Sequence, residues 1–363
     1  DNVKSTDRQN AGQKRQMIPM KNNSDIRNIL IISFLFMISI IPLGILTDAS
    51  QETFACAPLP DRDYASPKLE LGYETLENMA DYMLVESDIS EYPLSVSIPE
   101  GSTADSILSS FLEAYGLNEE NFSFFYYNTF TQETYLYNPD TLFTAASTVK
   151  VPVNMLYYDA VNSGERTLED GLPYNASATD TDGDGSTPYD YRPGSLVPLS
   201  YLMEESIVFS DNTANNIMIQ NLGGVFAYRN MMLKYSDNTY PDEFFTGNKL
   251  CAGFSFDVMS YLYSHSSAYE PLLEYMKEAA PGTFLQKNID LDLFPVAHKY
   301  GDYGGCRHDY GIIYTPAPFL IGVFTDHVAD AENLIAEIGE TYLCYTLSVT
   351  EPSYIKISEV PSS

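Results

Sequence analysis

Apolar residues spaced three and four apart mark the first clear element. In TADSILSSFLEAYG (103–116), Ile107, Leu108, Phe111, Leu112 and Tyr115 share one helical stripe, and Gly116 stands where a helix would end. NFSFFYYNTF (121–130) is an aromatic, strand-like run, and TQETYLYNPD (131–140) reads as a turn and a second strand, so a hairpin is predicted. A helical pattern then runs from about residue 144 to Asn162 and stops at Gly164. Residues 173–198 read as a long loop, and VPLSYLMEESIVFSDNTANNIMIQNLGG (197–224) as helical at both ends with a Ser-Asp-Asn step between. Further helices are expected at 255–264 and 270–279, strands at 295–301, 309–317 and 318–326, and an amphipathic helix at 329–347. No internal repeat is present. This order predicts an α+β fold in which the two chain ends complete one sheet around a helical insertion.

The first 57 residues differ in kind. Lys4, Arg8, Lys14, Arg15, Lys21 and Arg27 precede an uncharged run, ILIISFLFMISIIPLGIL (29–46). A basic flank before an apolar run is the pattern of an export signal or a membrane anchor. Ala49 lies before one possible cleavage point, and Cys56 is an alternative lipid-modified N-terminus. Residues 58–99 read as a linker or stalk, 100–348 as the main folded domain and 349–363 as a tail, and the N-terminal pattern predicts a protein outside the cytoplasm, secreted or held on the outer face of the membrane. The formal net charge of -31 repels phosphate backbones, so a nucleic-acid partner is not expected.

Four cysteines, Cys56, Cys251, Cys306 and Cys344, lack metal-ligand spacing, so no metal or cofactor is expected. A Cys251–Cys306 disulfide and buried thiols both remain open. DTDGDGSTPYDY (180–191) opens like a calcium loop with Asp180, Asp182, Asp184 and Gly185, but Tyr191 stands where the closing acid belongs, which favours a solvated acidic loop.

The chemistry gathers at TAASTVKVP (144–152). Ser147 and Lys150 lie three apart at a helix start, and residues so spaced share a face. A buried Lys150 near other positive charge would lose its proton readily and could activate the Ser147 hydroxyl. Ser210-Asp211-Asn212 and His298-Lys299-Tyr300-Gly301 follow in that order. FTAASTVKVPV, PGSLVPLSYLMEESIVFSDNTANNIMIQNLGG and VAHKYG with HDYGIIY and PFLIGVFTD together resemble the class A β-lactamases and penicillin-binding proteins over roughly residues 100–348.

That resemblance implies an antiparallel sheet of about five strands flanked by helices, plus an all-helical subdomain. It implies that Ser147 is acylated, Lys150 takes its proton, and Ser210 relays a proton to the leaving nitrogen. Asn212 would hold the substrate amide and Lys150. Lys299 would lower the pKa of Lys150 and attract a substrate carboxylate. The oxyanion would sit between the N–H groups of Ser147 and Asp302, just past Gly301.

Two departures matter. Tyr300 stands where the family has Thr or Ser, whose hydroxyl binds the substrate carboxylate. The Glu that activates the deacylating water has only Glu243 as a counterpart, five residues from Asn248 rather than four, in a loop several residues short. Three functions are therefore carried forward: hydrolysis of β-lactams or related amides, a D-Ala-D-Ala peptidase of peptidoglycan that binds β-lactams, and a non-enzymatic cell-wall-binding module rich in tyrosine. The partners would be a small β-lactam or a peptidoglycan peptide, with the membrane as a further partner if the N-terminal segment is retained.

Overall fold

A computed structural model of the chain describes residues 96–181 and 185–350. The export signal or anchor, Cys56, the linker up to residue 95, Asp182, Asp184 and the tail from residue 351 lie outside the described residues.

Helix α1 (Ala104–Tyr115) starts at a reciprocal cap. Thr103 Oγ1 accepts the Ser106 N–H and Ser106 Oγ accepts the Thr103 N–H, which satisfies two otherwise unpaired donors. Strand β1 (Phe122–Asn128) pairs with β2 (Thr134–Tyr137) as the predicted hairpin. Every residue of β1 is buried, because Phe122, Phe124 and Tyr126 pack on one face of the sheet and Phe125 and Tyr127 on the other. A strand covered on both faces reads as a continuous apolar run.

Strands β3 (Phe143–Thr144), β4 (Gly171–Pro173), β5 (Leu196–Pro198) and β6 (Lys249–Leu250) form two small ladders, β3 with β6 and β4 with β5. The long loop at 173–198 is thus closed at its base by the β4–β5 ladder. The helical insertion comprises α2 (Lys150–Asn162), α3 (Thr187–Asp190), α4 (Leu199–Ile207), α5 (Asn212–Asn221), α6 (Val225–Met231), α7 (Asp242–Thr246), α8 (Ala252–Ser264) and α9 (Glu270–Glu278). Helix α2 is buried continuously from Lys150 to Tyr158, so it is the core of this layer rather than an amphipathic surface helix. Pro152 is tolerated there because its missing N–H falls in the first turn.

Strands β7 (Val296–Tyr303), β8 (Cys306–Ile313) and β9 (Phe319–Asp326) complete the main sheet, whose order is β2-β1-β9-β8-β7, antiparallel throughout. The sheet therefore has the five strands expected. Helix α10 (Ala331–Thr350) covers one face: the Tyr342 ring packs at a tilt against Phe124 and Tyr126, and its hydroxyl donates to Ala104 O at 2.6 Å. Gly322 lets Phe125 cross β9, since a Cβ there would lie 2.2 Å from the Phe125 ring.

One expectation is corrected. The β7–β8 connection is not the seven residues 302–308 but the two-residue turn Gly304-Gly305, with φ of 61 and 91, which moves the start of β8 to Cys306. Two positive φ angles make a tight hairpin turn whose twist matches the strands, and glycine adopts them at little cost. Of the two readings left open for Cys251 and Cys306, the structure has the buried thiols rather than the disulfide.

Candidate active site

The nucleophile turn lies between β3 and α2. Ala146 takes a left-handed φ of 49, and residues Ala146–Val149 form one 3-10 turn running straight into α2. In a 3-10 turn residues three apart eclipse, which brings Lys150 Nζ to 2.9 Å from Ser147 Oγ. Three outside residues fix this turn. Tyr310 on β8 donates to Thr148 O at 2.7 Å, and His308 on β8 donates Nε2–H to Thr144 O at 2.8 Å. Asn248 accepts the Ala145 N–H at 2.9 Å on its carbonyl and donates Nδ2–H to Ala146 O at 3.2 Å. His308 Nδ1 accepts the Thr325 N–H, and burial lowers its pKa to about 4, so the ring stays neutral.

The Ser-Asp-Asn step follows the same logic. Asp211 caps α5 by accepting the Ala214 N–H at 2.9 Å, and Ser210 just before it has a φ of 55. This bend turns Ser210 O and Oγ toward Lys150 Nζ, at 2.5 and 3.2 Å, while Asn212 Oδ1 lies 2.9 Å away. Lys299 reaches the cluster from β7, with Nζ 3.1 Å from Ser210 Oγ. Ser147, Lys150, Ser210 and Lys299 thus form one continuous chain of hydrogen bonds.

Lys150 and Lys299 are 2% and 0% exposed. Burial lowers the Lys150 pKa to about 7, against the pull of Asp211 and Asp180. The Lys299 pKa falls well below its usual value, through burial first and then repulsion from Lys150. Burial is thus the first cause of the Lys150 shift, and the mutual repulsion of the two lysines adds to the lowering at Lys299. The acceptor geometry says which form works. Ser210 O and Asn212 Oδ1 can only accept, so a neutral amine donates its two hydrogens to them and turns its lone pair to the Ser147 hydroxyl.

Gly301 brings β7 against the nucleophile. A Cβ there would sit 3.0 Å from Ser147 N, Ala145 O and Ala146 Cβ, so a side chain here would push the nucleophile turn back by a few tenths of an ångström. The Asp302 carboxylate pairs with Arg307 across the hairpin at 2.9 Å, at the exposed end of the strand. Tyr300 is half-buried, stacked on Phe284 with centroids 5.1 Å apart. Glu243 is exposed on α7, whose buried side belongs to Phe244, and it takes part in none of the hydrogen bonds around Ser147. The acidic loop borders the Ser-Asp-Asn step: Thr187 N–H donates to Asp211 Oδ2 at 2.8 Å, and Asp180 exchanges two hydrogen bonds with Thr213.

Asn248, His308 and Tyr310 are the supports that motif reading passed over. HDYGIIY was recognisable as a strand, but its pairing to the nucleophile turn spans more than 160 residues. The beta-lactamase enzyme family model matches residues 105–346, a span that contains the whole cluster. The chain belongs to that family. Among solved structures it is similar to PBP-A, with a TM-score of 0.57, 21% identity and coverage of 69% of this chain and 99% of that one. A β-lactamase from Sphaerobacter thermophilus gives a TM-score of 0.57, 22% identity and coverage of 69% and 100%. An ancestral class A β-lactamase gives 0.56, 19%, 66% and 98%. No curated protein matches the chain.

Proposed function

We propose that this β-lactamase-family protein is an exported serine hydrolase that forms an acyl-enzyme at Ser147 with β-lactams or related amides and releases it slowly. The observation that carries the first half is the 2.9 Å contact between a buried, readily neutral Lys150 and Ser147 Oγ. Ser147 Oγ attacks the amide carbonyl carbon and its proton passes to Lys150 Nζ. The carbonyl oxygen takes up the negative charge, facing the Ser147 and Asp302 N–H groups. As the C–N bond breaks, the proton moves from Lys150 through Ser210 Oγ to the leaving nitrogen, with Lys299 holding Ser210 in place.

Slow release rests on Glu243, which is exposed and outside the cluster. The same fact favours a second reading, a D-Ala-D-Ala peptidase of peptidoglycan for which β-lactams are slow inhibitors. A mutant of the similar PBP-A is known as an acyl-enzyme complex with penicillin G. Retention of all four chain-forming residues argues against a purely binding module. Export rests on the basic flank and apolar run of residues 1–46, which would also keep the domain at the outer membrane face if uncleaved. Turnover of a chromogenic cephalosporin tests slow release: well below tens per second is expected, and ordinary enzyme rates would refute it. Faster cleavage of a D-Ala-D-Ala peptide than of the cephalosporin would select the second reading.

A further inference from the structure

The Lys299 ammonium is enclosed, and its surroundings are unusual for a charge expected to meet a substrate. Besides Ser210 Oγ it has Tyr300 O at 3.2 Å and the Tyr300 ring, whose centroid lies 4.1 Å from Nζ. That ring is held by stacking on Phe284, with planes 24° apart. A cation over an aromatic face is favoured by about 2- to 30-fold in an equilibrium constant. The other basic side chains on the segments touching the serines are also engaged. Lys150 is held by Ser147, Ser210 and Asn212, Lys249 Nζ is 3.1 Å from Thr144 Oγ1, and Arg307 pairs with Asp302. Asp302 itself places an exposed carboxylate one residue past Gly301. A substrate carboxylate would have to compete with the ring for Lys299 and would meet Asp302 nearby.

From this we propose that Tyr300 is a specificity determinant: its ring takes up the Lys299 ammonium, so that this charge serves Ser210, and the site accepts neutral amides and esters as readily as donors bearing a carboxylate beside the scissile bond. The inference rests on the acyl-enzyme reading and widens its substrate class. It excludes strong selection for a carboxylate.

The test compares acylation of the full chain by benzylpenicillin and by its methyl ester, which share one acyl group. Rates are read from intact mass over time, in wild type and in Y300F, Y300T and Y300V. In wild type the acid should be preferred by less than about tenfold, and Y300F, which keeps the ring, should hold that ratio. Y300T and Y300V both remove the ring, one adding a hydroxyl and one not, and each should raise the preference for the acid by about tenfold or more. A wild-type preference above that level, or ratios unmoved in the folded Thr and Val variants, overturns the inference while leaving the acyl-enzyme reading intact. Failure of both compounds to acylate Ser147 in wild type overturns the two together.

Discussion

Replacing Lys150 with methionine removes the base while keeping most of the side chain's volume. Burial lowers the Lys150 pKa from 10.5 to about 7, so the fold carries about 5 kcal/mol against its protonation at pH 6. The sign follows from proton counting. Between pH 7 and 10.5 the unfolded chain binds more protons at this position than the folded one, so stability contributed here rises with pH across that window and is lowest below it. K150M abolishes this dependence. It also leaves Ser210 O, which now accepts from Nζ at 2.5 Å, without that donor, at a cost of about 1–3 kcal/mol. The variant should therefore be at least as stable as wild type at pH 6 and lose its advantage toward pH 10, as urea unfolding at the two pH values would read. Acylation by penicillin should fall by about 10²- to 10⁴-fold, the range a general base supplies. In wild type the acylation rate should climb as pH rises through about 7 and then level off; in K150M it should be flat. Acylation within tenfold of wild type, or a variant strongly destabilised at pH 6, would refute the reasoning.

Other positions give independent checks. G301A places a methyl 3.0 Å from Ser147 N, so either β7 or the nucleophile turn must move; acylation should drop by about tenfold or more, with a stability loss of about 1–3 kcal/mol in thermal unfolding. D309A strips a fully buried carboxylate that faces His298 Nδ1 at 2.6 Å and accepts the Leu285 N–H at 3.0 Å, and should cost about 3–5 kcal/mol in denaturant titration. Tyr342→Phe loses the hydrogen bond to Ala104 O between α10 and α1 and should cost about 1 kcal/mol with acylation unchanged.

What could be read from the chain follows the range of the interaction. Helix α1 was legible because its stripe and both caps lie within fourteen residues, and Ser147 with Lys150 because one turn joins them. Ser210, Asn212 and Lys299 were placed by resemblance alone; in the structure Asn212 lies 2.9 Å from Lys150 Nζ and Lys299 3.1 Å from Ser210 Oγ. The Gly304-Gly305 turn was overlooked although two adjacent glycines after a strand are a strong local signal. Asn248 and His308 were not legible as supports, since each bonds the nucleophile turn through a backbone carbonyl that could belong to any residue type. Tyr300 showed only as a departure from a motif; its stacking on Phe284 depends on a 3-10 turn at Phe284–Gln286 that no periodicity announces.

The central claim is that Ser147 becomes acylated. Time-resolved intact mass of wild type and Ser147→Ala with benzylpenicillin tests it directly. The account predicts a gain of one penicillin on the peptide containing Ser147, lasting well beyond mixing, and none in the alanine variant. No adduct in wild type, or an adduct that survives Ser147→Ala, would contradict it.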